Sequence, residues 1–332
     1  MSPCETKQLE PKATATMIMT QPRLSLCLLV TALVLPQSSV LAVDYPVGLT
    51  NCGISNWIPK APQRAVTLNQ GTTEVMLALG LADSMVGTAY LDDEIWPELA
   101  AEYAKVPVIS EFYPKADELM ALQPDFLYGS YSSAFSSNSI NYTNHLNGVD
   151  ECNLTVTRSN GSNRTFCRQE LHDEGIDTYL QEPFCELVEH RPTETTMQVL
   201  LDEIWDIATV FGILGEARVL IDGIEDHFTQ ARAVVEAADT TDAGPKIKVL
   251  WLDSWDPETP YVGACCGAVQ VILEHAGAQN IFENLGVEEK SSWKSAPWTD
   301  VEKFDPDLIV LVDASWDTAG KYSRCRLVAC CC

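Results

Sequence analysis

Polar and aromatic side chains recur where short apolar runs end, and their types suit holding a ligand rather than transforming one. Asn69 and Gln70 follow RAVTL, and Tyr90 follows MVGTA. Phe112 and Tyr113 come just after VPVIS, and Ser130 and Tyr131 follow FLYG. Later in the chain Trp251, Asp253, Trp255, Tyr261, Trp293 and Trp316 stand at or beside comparable run ends. Flat aromatic faces bury much area while their polar edges fix orientation, which suits a bulky, partly apolar guest such as a metal chelate or macrocycle. The chain has no G-x-S-x-G, no P-loop and no G-x-G-x-x-G. Asp253 and Asp313 at strand ends offer an acid and a base, or equally ligand contacts or helix caps. No catalytic residue, no enzymatic activity and no cofactor is expected, with a hydrolytic enzyme as the lesser alternative.

The histidines give no metal set. His145 lies in a polar stretch and His172 at its edge, while His190, His227 and His275 lie on or beside helical patterns. A zinc or manganese site needs His and carboxylate ligands converging at strand ends. The run Asp92, Asp93, Glu94 reads as a solvated helix start. Lys115 and Lys294 are the basic residues nearest to the run ends. An anionic catecholate chelate would call for more positive charge, so a neutral hydroxamate chelate or a corrinoid fits better.

These residues must be positioned by an alternating framework. Residues 64–130 read β-α-β-α-β-α-β, which favours a parallel sheet flanked by helices. Ligands of such sheets bind beyond the carboxyl ends of the strands. Residues 43–63 form an entry segment. Residues 193–239 read as two helices, Thr193 a plausible cap of the first, with Leu200, Ile204, Ile207, Ala208 and Phe211 at helical spacing. Leu220, Ile224, Phe228, Ala231 and Val235 share a face of the second. A further α/β unit opens with KIKVLWLD. It continues through a helix over residues 264–276 with Val269, Ile272, Leu273 and Ala276 inward, and reaches the strand LIVLV.

The segments RAVTL, TTEVMLALGL, MVGTAY, EFYPKADELMALQPD and FLYGS, in this order, resemble the N-terminal lobe of periplasmic substrate-binding proteins that serve ABC importers of iron-siderophores, haem and cobalamin. WTDVEKFDPDLIVLVDASW repeats the signature in a second lobe. The resemblance spans roughly residues 51–320. It implies an α/β class III fold: two lobes with parallel sheets flanked by helices, joined by a helical linker. It implies an N-terminal lobe over 64–192, interlobe helices over 193–239 and a C-terminal lobe over 246–320. It also implies capture of an iron chelate, haem or cobalamin for uptake, by a monomer. An acidic residue on each lobe docks such proteins onto their transporter, and Asp117 and Asp300 stand at or next to the matching places. Family members continue past the strand matching LIVLV, so the C-terminal lobe reads as incomplete and residues 321–332 as an atypical Cys-rich tail.

The compartment is legible separately. Residues 24–35 are an apolar run preceded by Arg23 and followed by the small-residue site Val40-Leu41-Ala42. Residues 1–42 therefore read as a secretory signal peptide, with translation starting at Met1 or at Met17 or Met19. Asn141, Asn153, Asn160 and Asn163 each begin an N-x-Ser/Thr sequon. They crowd a polar stretch, 132–173, that reads as a glycosylated insert of an extracellular or cell-surface protein. Export makes disulfides the default. Cys152 and Cys167 are expected to pin the insert. Adjacent Cys265 and Cys266 are expected to pair elsewhere, with Cys52 and Cys185 as available partners. The net charge of -26 disfavours nucleic acid and anionic lipid surfaces. A secreted glycoprotein using the same fold for protein interaction is the alternative reading.

Overall fold

Four apolar strands whose side chains are buried on both faces set the first half of the molecule. The computed structural model describes residues 42–142, 152–158, 160–239 and 245–312. An antiparallel hairpin, β1 (Val47–Asn51) and β2 (Ile54–Ile58), leads in. Then follow β3 (Ala65–Leu68), α1 (Gln70–Ala78), β4 (Met85–Ala89), α2 (Ala100–Tyr103), β5 (Val108–Ser110), α3 (Ala116–Ala121) and β6 (Phe126–Gly129). After the hairpin β7 (Leu154–Thr157)–β8 (Asn163–Phe166) come α4 (Arg168–Asp173) and β9 (Asp177–Leu180). The sheet order is β5-β4-β3-β6-β9, parallel throughout. All of β3 and β6 is buried, as expected where helices cover both faces of a parallel sheet.

Two helices leave this sheet. α5 (Met197–Phe211) starts at Thr196, whose hydroxyl accepts from Val199 N, and not at Thr193. Gly212 ends it at φ 74, a left-handed turn that glycine adopts without steric cost. α6 (Leu214–Asp239) follows, so Gly215 lies inside a helix and does not break it. Its Leu220, Ile221 and Ile224 pack on the first core, while Phe228 meets His275 edge-on at 4.7 Å in the second half. One helix thereby links the two lobes.

The second half holds β10 (Lys248–Ser254), β11 (Tyr261–Gly263), α7 (Ala268–His275), β12 (Gln279–Asn280), β13 (Trp293–Ser295), α8 (Trp298–Phe304) and β14 (Leu308–Leu311). β12 and β14 run parallel to β10, but β11 and β13 are antiparallel neighbours. The sheet is thus mixed where a parallel one was expected. The cause is local: Asp256 Oδ1 accepts from the backbone of Glu258 and Thr259, turning the chain straight back after β10. In α7 Val269, Val271 and Leu273 are buried, whereas Ile272 faces out.

The described residues of the stretch 132–173 hold more structure than their polarity suggests. Phe135, Ile140, Tyr142, Phe166 and Leu171 are buried in it, and α4 is the crossover helix that returns the chain to β9. The expected pair Cys152–Cys167 is present. The expectation for the other cysteines is overturned. Cys52 bonds Cys185, because the β1–β2 turn abuts the end of β9, where Asn51 Nδ2 donates to Leu180 O. That leaves Cys265 and Cys266 to each other, as a vicinal disulfide. The leader, Asp313, Trp316 and the Cys-rich tail lie outside the described residues. Among the described residues no helix is long and apolar enough to cross a membrane.

Candidate functional site

The carboxyl ends of β3, β4 and β6 and the far end of β10 open on one cleft of about 430 Å³ within the compact unit Val40–Cys332. From the first lobe Asn69, Tyr90, Asp92, Phe112, Tyr113, Tyr131 and Ser133 line it; from the second, Asp253, Ser254, Tyr261 and Trp293.

The first-lobe wall is built on unusual backbone. Asn69 (φ 111) and Tyr90 (φ 58) occupy the left-handed region at adjacent strand ends, a conformation that costs a non-glycine residue energy and that tertiary contacts must hold. Those contacts are present. Asn69 N donates to Ala89 O at 3.0 Å, and Asn69 O accepts from the hydroxyls of Thr72 and Thr73. Thr73 Oγ1 in turn lies 2.7 Å from Thr88 Oγ1 and 2.9 Å from Thr67 Oγ1, so a buried hydroxyl chain fastens α1 to both strands. Tyr113 reaches across: its hydroxyl donates to Asn69 Oδ1 at 3.1 Å and lies 2.9 Å from Ser133 Oγ. Tyr90 packs edge-on against Phe112 and Tyr113, at 5.8 and 4.6 Å. Tyr131 is held by Phe184 at 4.6 Å. On the opposite wall Tyr261 and Trp293 stack at 6.4 Å, because β11 and β13 are paired neighbours.

Tyr113, Tyr131 and Tyr261 are all held above the ordinary phenol value. Burial pushes Tyr113 up to about 12, against its hydrogen bonds with Ser133 and Asn69. Desolvation also raises Tyr131, with Asp92 and Asp253 adding to it, and raises Tyr261, with Asp253 adding. Asp92 itself is raised by burial and then by Asp93. The cleft thus offers neutral hydroxyl donors, flat apolar faces and two carboxylates. No histidine is among the described residues that line it. No group of three His, Cys, Asp or Glu able to hold a metal occurs among the described residues.

Eight of the residues singled out at strand ends in the sequence meet here: Asn69, Tyr90, Phe112, Tyr113, Tyr131, Asp253, Tyr261 and Trp293. Ser130 is buried and does not line the cleft, and three more stand elsewhere. Gln70 turns from the cleft to Glu74 and to the backbone of Asp93 and Glu94, which pins the loop carrying Asp92. Trp251 packs beside Val249, Val269 and Leu273 in the core under α7, because alternation along β10 sends it to the helix side. Trp255 lies one residue beyond the strand end, against Trp298 at 4.8 Å, and is partly exposed. The composition of the strand ends gave no pointer to Asp92, Ser133 or Ser254. Their signal was position: each follows a named cleft residue by one or two places. Nor do residues 92–94 start a helix, since the next helical turn begins only at Pro97. Asp117 is exposed in the first turn of α3, and Asp300 half-buried in the first turn of α8.

Residues 167–324 match the family model described as Periplasmic binding protein. This part of the chain is similar to a periplasmic binding protein domain. The fold of the whole agrees. A periplasmic binding protein from Veillonella parvula superposes with a TM-score of 0.62 at 24% identity, over 83% of this chain and 81% of that one. An ABC-type Fe3+-hydroxamate transport protein from Saccharomonospora viridis gives 0.57 at 21%, over 81% and 80%. The heme binding protein HmuT gives 0.52 at 15%, over 84% and 75%. At these identities the likeness is one of fold. Comparison with curated proteins returns no match.

Proposed function

We propose that this periplasmic-binding-type protein is an extracytoplasmic solute-binding protein that captures a bulky metal chelate between its lobes for uptake. The observation that carries this reading is the cleft itself: four tyrosines, Phe112 and Trp293 line one gap fed by both sheets. Such a wall gains apolar area on a large flat guest and orients it through hydroxyls. The neighbours named for Fe3+-hydroxamate transport and heme binding share the fold and support the same ligand class. A ferric hydroxamate is favoured, with haem and cobalamin as the other candidates. Asp117 and Asp300, each in the first turn of a helix on its own lobe, are the proposed contacts to a membrane importer or receptor. Asn141, Asn153, Asn160 and Asn163 are all exposed, which suits N-glycosylation of a secreted or cell-surface form. The domain limits inferred above belong to the same proposal.

Tryptophan emission reads the cleft directly through Trp293. Titration of the full chain with a ferric hydroxamate, haem and cobalamin should give saturable quenching by at least one. If all three fail with folded protein, the reading is wrong.

A further inference from the structure

The cleft selects guests by charge as well as by shape. Asp92 hangs from the loop after β4 and Asp253 from the end of β10, so one carboxylate stands on each wall. Both act on the same phenol: each raises Tyr131, and Asp253 also raises Tyr261. Each also interacts with other groups of the protein, and what matters here is the sign of the field they set up. No Lys, Arg or His is among the described residues that line the cleft. Lys294, the basic residue of β13, turns its ammonium to Glu289 at 2.9 Å. The net charge of -26 adds a long-range field of the same sign, and clefts with low-dielectric walls focus such fields.

Resting on the chelate-binding reading above, we infer that the guest is cationic: a metal chelate whose positive group, such as a primary ammonium tail, sits between Asp92 and Asp253 beside Tyr131. The aromatic wall takes the body of the chelate and the carboxylate pair takes its charge. Guests that carry carboxylates of their own are repelled by the same pair.

The test uses chelates that differ only in charge. One set is a linear ferric trihydroxamate whose tail ends as an ammonium, as its acetamide or as its succinylated carboxylate. The second is a corrinoid with water as its upper ligand, which is cationic, against its neutral cyano form. Each is titrated into the full chain by tryptophan quenching at low and high salt. The cationic member of a pair should bind on the order of tenfold tighter than the neutral one, the carboxylate weakest of all. High salt should shrink that ratio. Asp253→Asn and, separately, Asp92→Asn should move it towards one. Equal affinity within every pair that binds overturns the charge preference and leaves chelate binding intact. Absence of binding by both scaffolds overturns this inference, and the chelate reading falls with it only if haem, titrated alongside, also fails to bind.

Discussion

The hydroxyl of Tyr113 donates to Oδ1 of Asn69 across the mouth of the cleft, at 3.1 Å. The two residues come from loops after β5 and β3, and Asn69 is held in a left-handed conformation with 2% of its surface exposed. One hydrogen bond therefore fixes the relative height of two cleft loops.

Tyr113→Phe should cost about 1–3 kcal/mol, the usual effect of leaving a buried polar atom without its partner. Denaturant unfolding measures the loss. Ligand affinity should fall with it, because the Tyr90–Tyr113 edge contact depends on the same placement. Unchanged stability would mean that Asn69 Oδ1 finds water instead.

Glu203 makes stability depend on pH. Its carboxylate accepts from Tyr128 and from Gln181 behind the first sheet. Burial raises it from 4.5 to about 6, against those two hydrogen bonds. A carboxyl whose folded value lies above its unfolded one adds stability below about 4.5 and loses it as pH rises through about 6. Glu203→Gln keeps an acceptor for both donors and removes the charge. The variant should be more stable than the parent by about 2 kcal/mol at pH 7. That gain should vanish as the pH falls through this window, read from denaturant midpoints at each pH.

Arg168 is fully buried at the edge of the first sheet. It donates to Thr178 Oγ1 at 2.9 Å and Asn51 Oδ1 at 2.7 Å, and faces Glu186 at 3.6 Å. Arg168→Met should cost about 3–5 kcal/mol, since it leaves the buried Glu186 uncompensated. Adding Glu186→Gln should recover part of that loss. No recovery would show that the packing and the Asn51 contact carry the whole effect.

The three disulfides close chains of very different length, with separations of 133, 15 and 1 residues. In the chain-entropy model the first two bridges stabilise by about 5 and about 3 kcal/mol. Paired Cys→Ala variants should therefore rank Cys52/Cys185 as most damaging, then Cys152/Cys167, with Cys265/Cys266 least. Thermal unfolding of the three double variants checks the order.

The first lobe was legible because its strands are buried on both faces. RAVTL and FLYGS read as continuous apolar runs, and each is followed directly by a residue that enters the cleft, Asn69 and Tyr131. The second lobe was less so. The reversal at Asp256 rests on a side chain accepting two backbone hydrogen bonds, and no periodicity announces that. Trp251 and Trp255 misled because aromatic character marks a ligand wall and a packing contact alike: Trp251 sits in the core under α7, and Trp255 packs on Trp298 just past β10. Asp92 was hidden by its neighbours, since three consecutive acidic residues look like a solvated run. Polarity also hid α4, where Arg168 and Glu170 are buried although charged.

Every bridge among the described residues joins cysteines on the same side of the gap: Cys52 to Cys185 and Cys152 to Cys167 on one, Cys265 to Cys266 on the other. What crosses is the chain itself and a few polar contacts, such as Thr195 Oγ1 to Cys266 O at 2.7 Å and Lys290 Nζ to Arg191 O at 2.6 Å. Oxidative maturation can therefore finish in each part without staking the mouth at one width. A thiol reductant would loosen each part from within, while no bridge among the described residues spans the gap for it to release.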